Sequence, residues 1–206
     1  MTRQPRPADG LPPSQEDSEG RRTRRVFLVG MMGAGKSTVA GLLAERLGWP
    51  AVDTDAVVEE RAGMAVAEVF ARQGEAVFRA AEERAVAELA GSASPVVVSV
   101  GGGAVLSPAS RQVMKHAGTV VWLRAGAATL AGRVGRGATR PLLALPPEAP
   151  PGDKAAAIVT QRLAELLAAR EPFYEEVADL VVDVDSCPPA EVAEQVASAL
   201  GGGGGA

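Results

Sequence analysis

The sequence predicts an α/β fold of three layers, a mostly five-stranded parallel sheet held between helices. Three observations predict it. Five short runs are apolar throughout instead of alternating, as in strands covered on both faces. Longer stretches between them carry apolar residues at helical spacing. The strand-then-helix order repeats along the chain, so right-handed crossovers stack the helices on the two faces of one sheet.

In chain order, strands are expected at 25–29, 51–53, 95–100, 119–123 and 180–184. Helices are expected at 36–47, 55–61, 66–72, 75–90, 108–115, 127–133, 154–170 and 190–200. Residues 135–153 hold five prolines and no period; a structureless stretch of that length inside a compact domain suits a lid. Residues 1–24 are rich in proline, glycine and charge and nearly free of large apolar side chains, so a disordered N-terminal tail is expected there. Residues 201–206, GGGGGA, read as a flexible tail. One folded domain, 25–200, remains.

Composition narrows the function. The chain of 206 residues carries a net charge of −4, which disfavours nucleic acid as a partner. The arginines at 21, 22, 24 and 25 read as a solvated run. No apolar stretch approaches a membrane span and the N-terminus lacks an apolar signal core, so a soluble cytoplasmic protein is expected. Cys187 is the only cysteine, which excludes an intramolecular disulfide and a zinc cluster.

The first strand runs into GMMGAGKST, residues 30–38, which matches G-x-x-x-x-G-K-[ST] in a strand–loop–helix setting. Gly30 and Gly35 allow dihedrals that a side chain would forbid, so the N–H groups of the loop, with Gly33 and Ala34 among the ATP-binding residues, can turn toward an anion, and the following helix adds its positive end. Lys36 brings a full charge to the outer phosphates of ATP, and the hydroxyls of Ser37 and Thr38 follow, Ser37 being suited to ligate Mg2+. This makes the domain a P-loop fold. The chain has no asparagine, so the Asn-Lys-x-Asp element with which switch GTPases read guanine is missing. With no long second domain for a motor, a small-molecule kinase fits best.

Such an enzyme needs a carboxylate near the acceptor hydroxyl, cations for an anionic acceptor and a lid. Asp53-Thr54-Asp55 ends the second strand, where open α/β sheets place ligands. One carboxylate can hold a metal's water shell while the other orients or deprotonates a hydroxyl; the same triplet also suits a helix cap. Gly101, Gly102 and Gly103 follow the third strand, where a ligand can approach the backbone closely or the chain simply turns. Ser99, just before them, sits where a nucleotide-binding strand carries a magnesium-shell residue.

Together, the loop at 30–38, Asp53-Thr54-Asp55, VAEVFARQGEAVFRAAE at 66–82, Gly101-Gly102-Gly103 and Arg140-Pro141-Leu142-Leu143 closely resemble the shikimate kinase family. The resemblance spans roughly 25–200 in the family's order. It implies a P-loop kinase fold that transfers the γ-phosphoryl group of ATP to the 3-hydroxyl of shikimate, acting as a monomer. It implies that Asp55 meets the acceptor hydroxyl as base or orienter and that Asp53 holds magnesium through water. Arg79 and Arg170 would clamp the shikimate carboxylate, Glu82 would brace Arg79 or touch the acceptor, and the three glycines would line that pocket. Arg140 would be the lid arginine, Arg133 would pack over adenine, and Pro189 would stack nearby. Two stretches depart from the pattern. Residues 144–154 lengthen the connection behind the lid, and 186–189 lack the basic residue expected of the adenine loop. A gluconate-type kinase and a nucleotide-binding module without turnover are the alternatives. His116, Trp49 and Trp122 are read as packing or surface residues, and Cys187 as a loop residue.

Overall fold

A computed structural model of the chain describes residues 24–134, 143 and 152–201. Residues 1–23 and 202–206 of the expected tails, and nearly all of the expected lid, including Arg140, lie outside the described residues, while Gly201, expected in the tail, closes the last helix.

Five strands form one parallel sheet: β1 (Arg25–Val29), β2 (Ala51–Asp53), β3 (Val96–Ser99), β4 (Thr119–Arg124) and β5 (Leu180–Asp183), in the order β2-β3-β1-β4-β5. All four neighbouring pairs are parallel. Every residue of β1 and β3 is buried, and because alternate side chains point to opposite faces, both faces are covered. The edge strands differ from the sequence expectation, since β2 and β5 are only partly covered.

Eight α-helices are described: α1 (Lys36–Leu47), α2 (Thr54–Ala62), α3 (Val66–Gln73), α4 (Glu75–Ala90), α5 (Pro108–Ala117), α6 (Ala127–Val134), α7 (Asp153–Val177) and α8 (Pro189–Gly201). A 3-10 turn at Ala104–Leu106, which the sequence reading does not place, follows the three glycines. The largest correction concerns α7. The sequence predicts a helix ending at 170, and Pro172 beyond it lacks a ladder N–H and crowds the preceding turn, at about 3 kcal/mol. The helix instead continues through Pro172 to Val177. Beyond the proline, Tyr174 and Val177 are fully buried, and Tyr174 stacks on Trp122 of β4 with centroids 5.6 Å apart. Burying two such side chains offsets the proline.

Two hydrophobic clusters result. The main one fills the space around β1, β3 and β4. A smaller one joins Val58 of α2, Val69 of α3, and Phe78 and Ala85 of α4. The chain leaves β1 for β2 and β3 on one side and later crosses to β4 and β5 on the other, so β1 ends at the point where strand order reverses. That carboxyl edge is where open α/β sheets bind ligands.

Candidate active site

A cleft of about 1120 Å³ opens at this carboxyl edge. The loop after β1 forms its floor. Gly35 caps α1 at φ 90°, a left-handed conformation open to glycine, and no side chain caps the N-terminal amides of α1. Those amides and the helix dipole form an anion seat. Lys36 is buried and its Nζ donates to the carbonyls of Gly30 at 2.8 Å and Met31 at 3.0 Å. The charge is thereby held over the loop.

Beside this seat three oxygens converge. Ser37 Oγ donates to Asp53 Oδ2 at 2.7 Å and lies 3.2 Å from Ser99 Oγ. The other Asp53 oxygen accepts the Asp55 N–H at 2.9 Å, capping α2. Asp53 thus serves both readings of the triplet. The donor set is all oxygen, with one carboxylate and two hydroxyls, and that chemistry fits magnesium, which is held by few protein ligands beside phosphate.

Thr54, between the two aspartates, is fully buried, and its Oγ1 accepts the Gly101 N–H at 2.8 Å. This bond ties the glycine loop to the start of α2. The glycines are needed there for space. A Cβ on Gly101 would overlap Glu82 Oε1 and lie 2.8 Å from Asp55 Oδ1, and one on Gly103 would overlap the Arg79 guanidinium.

At the far end, α4 and α7 supply the charges. Arg79 Nη1 donates to Glu82 Oε2 at 2.8 Å, while its Nε and Nη2 reach Glu75 Oε1 at 3.2 and 3.0 Å. The guanidinium also lies over the Phe78 ring, 5.2 Å from its centroid. Burial works against the Arg79 charge, but Glu82 and Glu75 outweigh it and raise its pKa further. Glu82 is 2% exposed, and its Oε1 is buried without a partner. Burial pushes its carboxyl above the usual range despite Arg79, and the charge of Asp55 adds to the rise. Arg170, 3% exposed on α7, donates from Nη1 to Gly102 O at 3.3 Å and approaches Met31 Sδ at 3.7 Å. At the opposite end Arg133 Nη2 donates to Val184 O at 2.6 Å.

Gly33, Ala34, Gly35, Lys36, Ser37 and Thr38, Asp53, Asp55, Arg79, Glu82, Gly101, Gly102, Gly103, Arg133, Arg170 and Pro189 all line this cleft, whereas Gly30 does not and instead packs its backbone against Leu123. Arg140 lies outside the described residues. Three contributors escaped the sequence reading. Thr54 was passed over between its aspartates, although its register at a strand end was visible. Cys187, set aside as a loop residue, borders the cleft beside Pro189. Tyr174 was hidden by the helix end assigned at 170; an unbroken helix would have put it on the face of Arg170.

A phosphate-seating loop at the sheet's reversal point, an oxygen set beside it and arginines from three helices bordering one cleft define a P-loop kinase of small molecules. The shikimate kinase family profile matches residues 32–201. A shikimate kinase of Moorella thermoacetica is 42% identical over 175 residues, covering 85% of this chain and 93% of that protein. The solved structure of the Acinetobacter baumannii shikimate kinase in complex with shikimate superposes with a TM-score of 0.79 at 31% identity, covering 91% of this chain and 98% of that one. The chain belongs to the shikimate kinase family. A gluconokinase structure from Sinorhizobium meliloti, 23% identical with a TM-score of 0.52 over 88% of this chain and 93% of its own, shares the fold alone.

Proposed function

We propose that the protein transfers the γ-phosphoryl group of ATP to the 3-hydroxyl of shikimate, giving shikimate 3-phosphate and ADP in the route to chorismate and the aromatic amino acids. One observation carries this reading: Arg79 and Arg170, on different helices, border the same cleft as Asp55 and the lysine loop. A carboxylated alcohol and a nucleotide tail can therefore lie end to end.

The residues then divide the work. The backbone from Gly33 to Thr38 seats the phosphates, and Lys36 stabilises charge on the moving group. Ser37 and Asp53 would hold magnesium, which supplies charge neutralisation to the phosphates when bound. Asp55 orients or deprotonates the acceptor hydroxyl. The forked guanidinium groups of Arg79 and Arg170 match a carboxylate's two oxygens. Glu82 fixes Arg79 by its 2.8 Å bond, while Gly101, Gly102 and Gly103 keep the acceptor's bed free of side chains. Arg140, which lies outside the described residues, is assigned to the transferring group, and Arg133 and Pro189 to adenine. Water exclusion falls to the lid, since transfer to water would waste ATP.

A monomer is the proposed working unit. Both ends of the cleft come from one chain, and among the described residues no helix is long and apolar enough to cross a membrane. Sedimentation at assay concentration checks the first point. A coupled ADP-release assay tests the whole reading. Saturable release with shikimate and none with gluconate is expected; saturation by gluconate, or no release with either acid, overturns it.

A further inference from the structure

One polar group at the acceptor end is assigned no task by the reading above. Tyr174 is fully buried, and its hydroxyl donates to Gly102 O at 2.7 Å. The same carbonyl accepts Arg170 Nη1 at 3.3 Å, a longer and weaker bond. Arg170 and Tyr174 are four residues apart on α7, so they share one helix face. A single half-buried carbonyl at the cleft wall thus has two donors. One is a fixed neutral hydroxyl, and the other is the cation that a substrate carboxylate would engage.

We propose that Tyr174 is a positioning residue: its hydroxyl keeps the Gly102 carbonyl bonded, which leaves the Arg170 guanidinium available to an incoming carboxylate. The inference rests on the reading that Arg170 receives that carboxylate. A carbonyl oxygen tolerates losing one of two donors, whereas a half-buried acceptor losing its last donor bears part of the desolvation cost. Without the hydroxyl, Gly102 would compete with substrate for Arg170. The packing suits this duty. Trp122 stacks on the Tyr174 ring at an interplanar angle of 20°, which fixes where the hydroxyl points. Burial also pushes the phenol's pKa up, so it stays a donor at any working pH.

The test is Tyr174→Phe, which deletes one oxygen and keeps the ring on Trp122. Calorimetric Kd and steady-state KM for shikimate are expected to rise about tenfold, the ratio that losing one buried donor implies. KM for ATP and kcat should stay within about twofold. Binding of the methyl ester of shikimate, which offers Arg170 no full charge, should change much less. An unchanged shikimate Kd, or equal losses for acid and ester, overturns the proposal. If the variant fails to fold, the native chain still answers. Tyr174 is its only tyrosine, so incorporated fluorotyrosine gives one fluorine resonance. That resonance is expected to move on saturation with shikimate and to stay put with ADP alone; a resonance indifferent to shikimate overturns the proposal. If the wild type shows no saturable shikimate binding at all, the proposed function itself falls, a result distinct from wild-type binding that Tyr174→Phe leaves intact.

Discussion

At the nucleotide end of the cleft, residues 30–38 supply the anion seat in one contiguous stretch. At the acceptor end, Asp55, Arg79, Gly102 and Arg170 arrive from four separate parts of the chain. The first end works through backbone amides and a helix terminus, whose geometry follows from local dihedrals. The second works through buried and half-buried side-chain charge, whose geometry depends on how α2, α4 and α7 pack. Its bonds span the molecule, as between Arg170 and Met31, 139 residues apart. A locally built seat can serve many phosphotransferases. A seat assembled over long range can be specific, because each charge is held by a different element and paired by a different neighbour.

This contrast can be broken by substitution, since each end should fail in its own kinetic parameter. The largest effect is expected where the two ends meet. Asp55→Asn should lower kcat about a thousandfold while ATP affinity, by titration with a fluorescent analogue, stays unchanged. Near-normal turnover would remove Asp55 from the chemistry. At the nucleotide end, Lys36→Met should cost about a hundredfold in kcat and weaken ATP, with shikimate affinity preserved. At the acceptor end, Arg170→Lys keeps the charge but loses the fork, so KM for shikimate should rise about tenfold or more with KM for ATP steady. Equal losses for both substrates would mean that the cleft behaves as one coupled site.

The smallest effect sharpens the difference in charge burial. Burial raises the folded-state pKa of Glu82 above the unfolded value of about 4.3. The fold therefore binds that proton more tightly than the unfolded chain, and the associated stability is complete below about pH 4 and lost as pH rises through the raised value. Glu82→Gln removes the titration. Denaturant melts from pH 4 to 8 should show the wild type losing stability relative to the variant as pH rises. A difference independent of pH would mean that Glu82 titrates in the fold as it does in the unfolded chain, and stability rising with pH would mean that Arg79 holds it ionised.

The same contrast explains what was legible in the sequence. The ends of β1, β2, α1 and α4 match their expected bounds because glycines, caps and apolar runs mark them locally. Residues 30–38 announce their chemistry for the same reason. The acceptor end was reached through resemblance to a family, since nothing local distinguishes Arg79 or Arg170 from an exposed helical arginine. Tyr174 shows where local rules fail. Pro172 signals a stop, but the tertiary burial of Tyr174 and Val177 overrides it, and only packing reveals that the helix continues. Thr54 was legible as a cap neighbour, but not as the anchor of a loop 47 residues away.

One cleft is to hold a carboxylate between two arginines at one end and a phosphate chain at the other. A crystal grown with shikimate and ADP tests it most directly. The expected result is the shikimate carboxylate bonded to both Arg79 and Arg170, a ring hydroxyl on Asp55, and the ADP phosphates on the amides of the lysine loop. Shikimate bound with its carboxylate away from both arginines, or with no hydroxyl reaching Asp55, would contradict it.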